Sequence, residues 1–227
     1  MDVRWKHPWT SIVCGPTGCG KTIFVKTFLQ YLSVMSDIRI ERILFYYAEW
    51  QDTYQRLQYD ASVAKEEEEE EEERARKTDY VNNALMKSKK NIIEFREGES
   101  SSCDAIIDLF TKGSHHKNLS VILISQNLFH QGRGQRDISL NANYIVVFKN
   151  PRDRAQIRHL ARQVYPDDPK FMEEAYYDAT SRPHGYLLLD LKQSTLDEYR
   201  FRTCIFPDDT LHYAYIPHRS NNRSGGV

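Results

Sequence analysis

The sequence has no apolar run approaching the roughly 20 residues of a membrane span. Its opening residues, Met1-Asp2-Val3-Arg4-Trp5-Lys6, lack the apolar core of a secretory leader. Neither a membrane-spanning nor a secreted protein is expected, and the expectation is an intracellular one. Cysteine is scarce. The four present, Cys14, Cys19, Cys103 and Cys204, are scattered and show no metal-ligand spacing. That pattern speaks against a zinc site and a disulfide scaffold, and suits a reducing compartment with Cys14 and Cys19 as small packing or loop residues. His115 and His116 are adjacent, hence poorly placed to share one metal, and read as loop residues. No internal repeat is present.

What remains is an ordinary globular composition. The chain has 227 residues, 40% hydrophobic and 28% charged, enough for one α/β domain with a sizeable core. That domain is expected over 1–219, with a polar, disordered tail over 220–227. The net charge of −1 conceals a split. Glu66 to Glu73 are eight consecutive glutamates, which repel one another and cannot enter a core. They mark 61–79 as an acidic low-complexity insertion. Without them the balance is 31 basic against 24 acidic residues. Nine Lys/Arg lie between Thr111 and Tyr165, opposed only by Asp137 and Asp153. Such an excess is either a footprint for a polyanion or a solvated face.

Gly15-Pro16-Thr17-Gly18-Cys19-Gly20-Lys21-Thr22 matches the pattern Gly, four residues, Gly-Lys-Ser/Thr. Ser11 to Cys14 before it form a short apolar strand. Ile23 to Tyr31 after it read as a helix, with Ile23, Phe24, Thr27, Phe28 and Tyr31 on one side. A Gly-rich loop between a strand and a helix is the context of a phosphate-binding loop. Its glycines let backbone N–H groups curl around an anion, and the helix N-terminus adds partial positive charge. Lys21 is placed to reach the β- and γ-phosphates of a nucleoside triphosphate, and the Thr22 hydroxyl to ligate Mg²⁺.

Further strands are expected at Arg42–Ala48, Asn91–Phe95, Ser120–Ser125, Tyr144–Phe148, Tyr186–Leu191 and Phe201–Phe206. Helices are expected at Tyr80–Lys90, after Ser102 or Asp104, at Asp153–Val164 and at Pro169–Thr180. Ser120–Ser125 is almost continuously apolar, as in a parallel sheet covered on both faces. The alternation predicts an α/β, doubly wound, mainly parallel sheet with a P-loop NTPase fold.

Such a fold normally supplies a second acidic strand, four apolar residues ending in paired acids, to hold Mg²⁺ and activate water. None is evident between Thr22 and Val121. Ile92-Ile93-Glu94-Phe95 is interrupted by its charge. Leu187-Leu188-Leu189-Asp190 fits the letters but follows the other core strands, and Asp190 reads as a strand-end residue, with the Mg²⁺ ligand as the alternative. Gln126, directly after the best strand, either orients water at a γ-phosphate or caps a turn. Arg152 and Arg154 flank a tight turn and serve as arginine fingers, as DNA contacts, or as helix-end partners of Asp153. Arg154, Arg158 and Arg162 recur at i, i+4, i+8 on the expected helix, away from Ile157, Leu160, Ala161 and Val164.

Several segments resemble the packaging ATPases of large DNA viruses and of Polinton (Maverick) transposons, within the FtsK/HerA class of P-loop motors. They are Leu109–His116, Asn118–Val121, Gln126–Phe129, Leu140–Val146, Lys149–Asp153 and Gly185–Leu191, and the match runs from Trp9 to about Pro207. The resemblance implies an ATP-driven ring of identical subunits that moves double-stranded DNA into a capsid, inside a host cell's nucleus or cytoplasm. It carries over Lys21 and Thr22 as phosphate and Mg²⁺ contacts and Gln126 as a sensor amide, with Arg152 and Arg154 as candidates. Similar proteins place the acidic strand shortly before the segment matching Asp108-Leu109-Phe110. Here Glu97 to Ser102 runs almost straight into Asp104. The expected function is therefore an ATP-binding DNA-packaging subunit, with hydrolysis impaired for want of the acidic strand. The alternatives are a decayed or domesticated NTP-binding module without motor activity, and a small-molecule kinase, which the basic stretch disfavours.

Overall fold

A computed structural model describes residues 2–38, 42–47, 92–97, 118–129 and 135–217, with Ile107, Phe110, Thr111 and Ser114. For 42–47, 92–97 and 135–137 only the backbone is described. The 61–79 insertion with its glutamates, the Tyr80–Lys90 helix, the Gly98–Ser102 loop, Asp104, His115-His116 and the 220–227 tail lie outside the described residues.

Among the described residues eight strands form one sheet: β1 Thr10–Cys14, β2 Arg42–Tyr47, β3 Ile92–Glu97, β4 Ser120–Ser125, β5 Tyr144–Phe148, β6 Tyr186–Asp190, β7 Phe201–Thr203 and β8 Tyr213–Tyr215. The spatial order is β3-β2-β4-β1-β5-β6-β7-β8. The first five run parallel. β6, β7 and β8 then extend the sheet antiparallel. The sheet is α/β and mainly parallel, as the alternation of strand and helix predicts. The Phe201–Phe206 strand is shorter than expected, because Cys204 turns the chain with a left-handed φ of 53°.

Both faces of the sheet are covered, and the two-residue period of the strands decides which side chain goes where. In β1 every residue is buried. Ile12 and Cys14 face one cluster with Ile145, Val147, Leu187 and Leu189. Ile157, Leu160 and Ala161 of α4 (Arg154–Val164) and Met172, Ala175 and Tyr176 of α5 (Pro169–Ala179) close that side. Val13 faces the other cluster, where Trp5, Trp9, Phe24, Val25 and Phe28 meet Val146 and Leu188. Trp5 stacks on Tyr144 at 4.1 Å, so the N-terminal segment seals this face. Burial of a large aromatic side chain there is worth roughly 2–3 kcal/mol.

The helix after the loop, α1 (Lys21–Gln30), buries Phe24, Val25 and Phe28. The face is turned by about one residue from the expected one, and Ile23 stands 66% exposed. Trp9 and Trp5 draw Phe28 inward and carry Val25 with it. Short helices α2 (Leu32–Met35) and α3 (Gln135–Leu140) are additions that the sequence reading missed. Asp153 and Asp168 cap α4 and α5, each accepting a hydrogen bond from the N–H three residues on at 3.1 Å. No helix among the described residues is long and apolar enough to cross a membrane.

Candidate phosphate-binding site

The glycine-rich segment leaves the C-terminal edge of β1, between β4 and β5, and returns as α1. Gly15 N–H donates to the Ser125 carbonyl at 3.2 Å, which pins the loop to the end of β4. A side chain at Gly15 is impossible without movement, since a Cβ would stand 2.7 Å from both Cys19 Sγ and Phe148 Cβ. Gly20, at φ 110°, turns the chain into the helix in a conformation that L side chains rarely adopt. The N–H groups of Thr17, Gly18 and Gly20 donate to no backbone carbonyl of the described residues. They crowd at a helix N-terminus, where an anion is favoured.

Lys21 and Thr22 occupy the first turn of α1. The Lys21 ammonium donates to the carbonyls of Gly15 at 2.6 Å and Pro16 at 2.9 Å. Its positive charge therefore hangs over the loop. This donor set suits a triphosphate: backbone N–H groups, one ammonium and, from Thr22, a hydroxyl of the type that accompanies Mg²⁺. Cys14 is buried under the loop, and burial pushes its thiol up to about 12. Cys19 is half-buried and its thiol is also raised by burial. Both thiols are packing and loop residues held in the protonated form.

Gln126 follows β4 directly, next to the carbonyl that holds Gly15, and is exposed. β5 ends on the same edge as β1, so Asn150, Arg152 and Asp153 rise beside the loop. Arg152 N–H donates to Asn150 Oδ1 at 3.1 Å and its side chain is exposed. Arg154 lies 6.0 Å over the Tyr177 ring. Arg154, Arg158 and Arg162 are all exposed along the outer face of α4. On its inner face Gln156 is buried beside Ile157, Leu160 and Ala161.

Asp190 is the residue whose neighbourhood removes a reading. β6 runs antiparallel to β5, and Asp190 pairs with Tyr144, the first residue of β5. It lies at the opposite edge of the sheet from the loop. Its carboxylate accepts from Arg202 at 2.9 Å, from Thr195 Oγ1 at 2.9 Å and from Lys192 N–H at 3.2 Å. Asp190 is thus a structural ion-pair residue and no ligand for Mg²⁺ at the loop. Burial outweighs Arg202 and raises its carboxyl above the usual range, while burial lowers Arg202.

The strands beside the loop end in Ser125, Cys14 and Phe148, and β2 contains no acid. Glu97 closes β3, three strands from β1. At ordinary strand spacing that is about 14 Å away. Asp153 is nearer in the fold but is engaged as the cap of α4.

The sequence reading missed one neighbour. His184, in the loop between α5 and β6, has a left-handed φ of 59° and places Nδ1 3.1 Å from the Cys19 carbonyl. The Pro183-His184-Gly185 run before an apolar strand was its only signal.

No protein-family model matches the chain. No curated protein sequence matches it either. Among solved structures it is similar to the genome packaging NTPase B204 from Sulfolobus turreted icosahedral virus 2. For that protein in complex with sulfate, identity is 13% over 92% of this chain and 96% of the other, with a TM-score of 0.49. For its complex with ATP-gammaS the values are 12%, 96%, 99% and 0.48. The Gly15–Thr22 loop stands between β1 and α1 of this chain's own mainly parallel α/β sheet.

Proposed function

We propose that this chain is the ATP-binding subunit of a DNA-packaging or DNA-translocating ATPase, working as a ring of identical copies on double-stranded DNA, with impaired hydrolysis. The nucleotide part rests on one observation: the Gly15–Thr22 loop lies at the C-terminal edge of a parallel sheet with N–H groups and the Lys21 ammonium gathered at a helix N-terminus. Lys21, released from the Gly15 and Pro16 carbonyls, binds the phosphates, and Thr22 contributes a hydroxyl to Mg²⁺. Bound Mg²⁺ neutralises charge on the phosphate oxygens. Gln126 is the sensor amide on this reading, and Arg152 and Arg154 are the arginine-finger candidates.

The DNA part is supported by the resemblance of Leu109–Leu191 to packaging ATPases and by the outward stripe Arg154, Arg158, Arg162. Capsid components are further partners, and the nucleus or cytoplasm of a host cell is the compartment. Impaired hydrolysis is supported by the strand ends beside the loop, which among the described residues carry no carboxylate to take a proton from water. General-base assistance is typically worth about 10²–10⁴ in rate.

Steady-state phosphate release by the purified chain, with Mg²⁺ and with or without duplex DNA, tests this reading; Lys21→Ala serves as the contamination control. The expected result is nucleotide binding with turnover at least about a hundredfold below an intact relative. Turnover near about 1 s⁻¹ or more would sink the impaired reading. Binding of ATP with no self-assembly and no affinity for DNA would instead identify a decayed or domesticated NTP-binding module.

A further inference from the structure

Beside the phosphate loop lies a hollow of about 280 Å³. Gly20 and His184 form its rim nearest the loop, and Ile23, Thr27, Tyr186 and Phe206 form its walls. Phe24 and Phe148 meet edge to face at its floor, with ring centroids 6.0 Å apart. Phe206 packs on Phe24 at 5.1 Å, which keeps the far wall aromatic.

Three features mark this hollow. Ile23 follows Thr22 directly and is 66% exposed, although α1 has a buried face available one residue away. His184 holds a left-handed backbone conformation, which costs a non-glycine residue free energy that the surroundings must supply. And the hollow shares Gly20 with the anion-binding loop, so it is continuous with that site.

The histidine's chemistry is fixed by its partner. A carbonyl only accepts, so His184 Nδ1 must carry the proton that faces Cys19 O at 3.1 Å. In the neutral ring Nε2 is then unprotonated and accepts a hydrogen bond. The site offers apolar walls, aromatic faces and, at His184, a ring-nitrogen acceptor beside a phosphate-binding loop. That is the complement of a flat heteroaromatic ring bearing an exocyclic amino group and tethered to a phosphate chain.

We infer that this hollow is the nucleobase subsite and that His184 Nε2 accepts from the 6-amino group of adenine. The inference rests on the nucleotide-binding reading of the loop. Ile23 covers the ribose end, and Tyr186 and Phe206 flank the base. Preference for ATP over a 6-oxo purine nucleotide then comes from one hydrogen bond, because inosine presents an oxygen where adenine presents the donor.

Equilibrium binding of ATP, ITP and inorganic tripolyphosphate to the full chain separates the two readings. The wild type is expected to prefer ATP over ITP by roughly three- to tenfold, and His184→Ala to abolish that preference. Thr27→Trp, which fills the hollow, and Phe206→Ala are each expected to weaken ATP by about tenfold or more while leaving tripolyphosphate unchanged. Should Thr27→Trp also lose tripolyphosphate, the bulky ring has disturbed the loop, and Phe206→Ala with His184→Ala decides. ATP and ITP binding wild type and His184→Ala equally, with Phe206→Ala without effect, overturns the inference while a loss of tripolyphosphate in Lys21→Ala preserves the loop. If the wild type binds neither ATP nor tripolyphosphate, both readings fall together.

Discussion

At one edge of the sheet β1 ends in a loop that carries the Lys21 ammonium on its carbonyls; at the other, β6 ends in a carboxylate paired with an arginine. Both ends follow a run of buried apolar residues, and both concentrate charge. They differ in what satisfies it. At Asp190 the side chain accepts from Arg202, Thr195 and the Lys192 N–H, so its charge is met within the fold. At the loop the N–H groups of Thr17, Gly18 and Gly20 have no backbone acceptor among the described residues. A closed network stabilises one conformation, whereas an open set of like-signed groups awaits a partner of opposite charge. The lesson is that an apolar strand followed by an acid is no evidence for a metal site until the direction of the strand is known.

The strongest test of this contrast lies at the closed end. Asp190→Ala should destabilise the chain by about 3–5 kcal/mol in denaturant melts, because it leaves the Arg202 guanidinium buried and unpaired. Asp190→Leu combined with Arg202→Met should cost much less, since no charge is left behind. A double variant as unstable as the single one would show that the ion pair stabilises the fold outright.

Next in size is the open end. Lys21→Ala should lose about a hundredfold in ATP affinity, the scale of a charge-assisted hydrogen bond, with little change in melting. Equal loss of stability at both ends would erase the contrast. Replacing Arg154, Arg158 and Arg162 with Ser should flatten the slope of log DNA affinity against log salt by about 2.7 units. An unchanged slope would assign the stripe to a solvated face or a subunit interface.

The smallest effect is a pH dependence at Asp190. Its folded carboxyl is raised above 3.8, so the folded chain holds that proton more tightly than the unfolded chain. The associated stability is complete below 3.8 and is lost as pH rises through the raised value. Comparing urea melts of the wild type with those of Asp190→Asn, the wild type should lose ground as pH climbs from 3.8. If it gains ground instead, attraction to Arg202 exceeds the effect of burial.

The sequence by itself determined the local pieces. A run such as Ser120–Ser125 or Tyr144–Phe148 can bury both faces only inside a covered sheet, so strands β4 and β5 have the expected bounds. Asp153 and Asp168 mark helix starts because their carboxylates reach the N–H three residues on. The loop motif is legible for the same reason: its chemistry is backbone chemistry within eight consecutive residues. Tertiary structure decided whatever depends on direction and on distant neighbours. The antiparallel turn into β6 carries Asp190 away from the loop. Packing of Phe28 against two tryptophans rotates α1 and leaves Ile23 outside. The fold also brings His184 to the Cys19 carbonyl across 165 positions of chain. Periodicity records which residues share a face, but contacts between remote segments are set by how the faces pack, and one sequence read locally carries no coordinate for that.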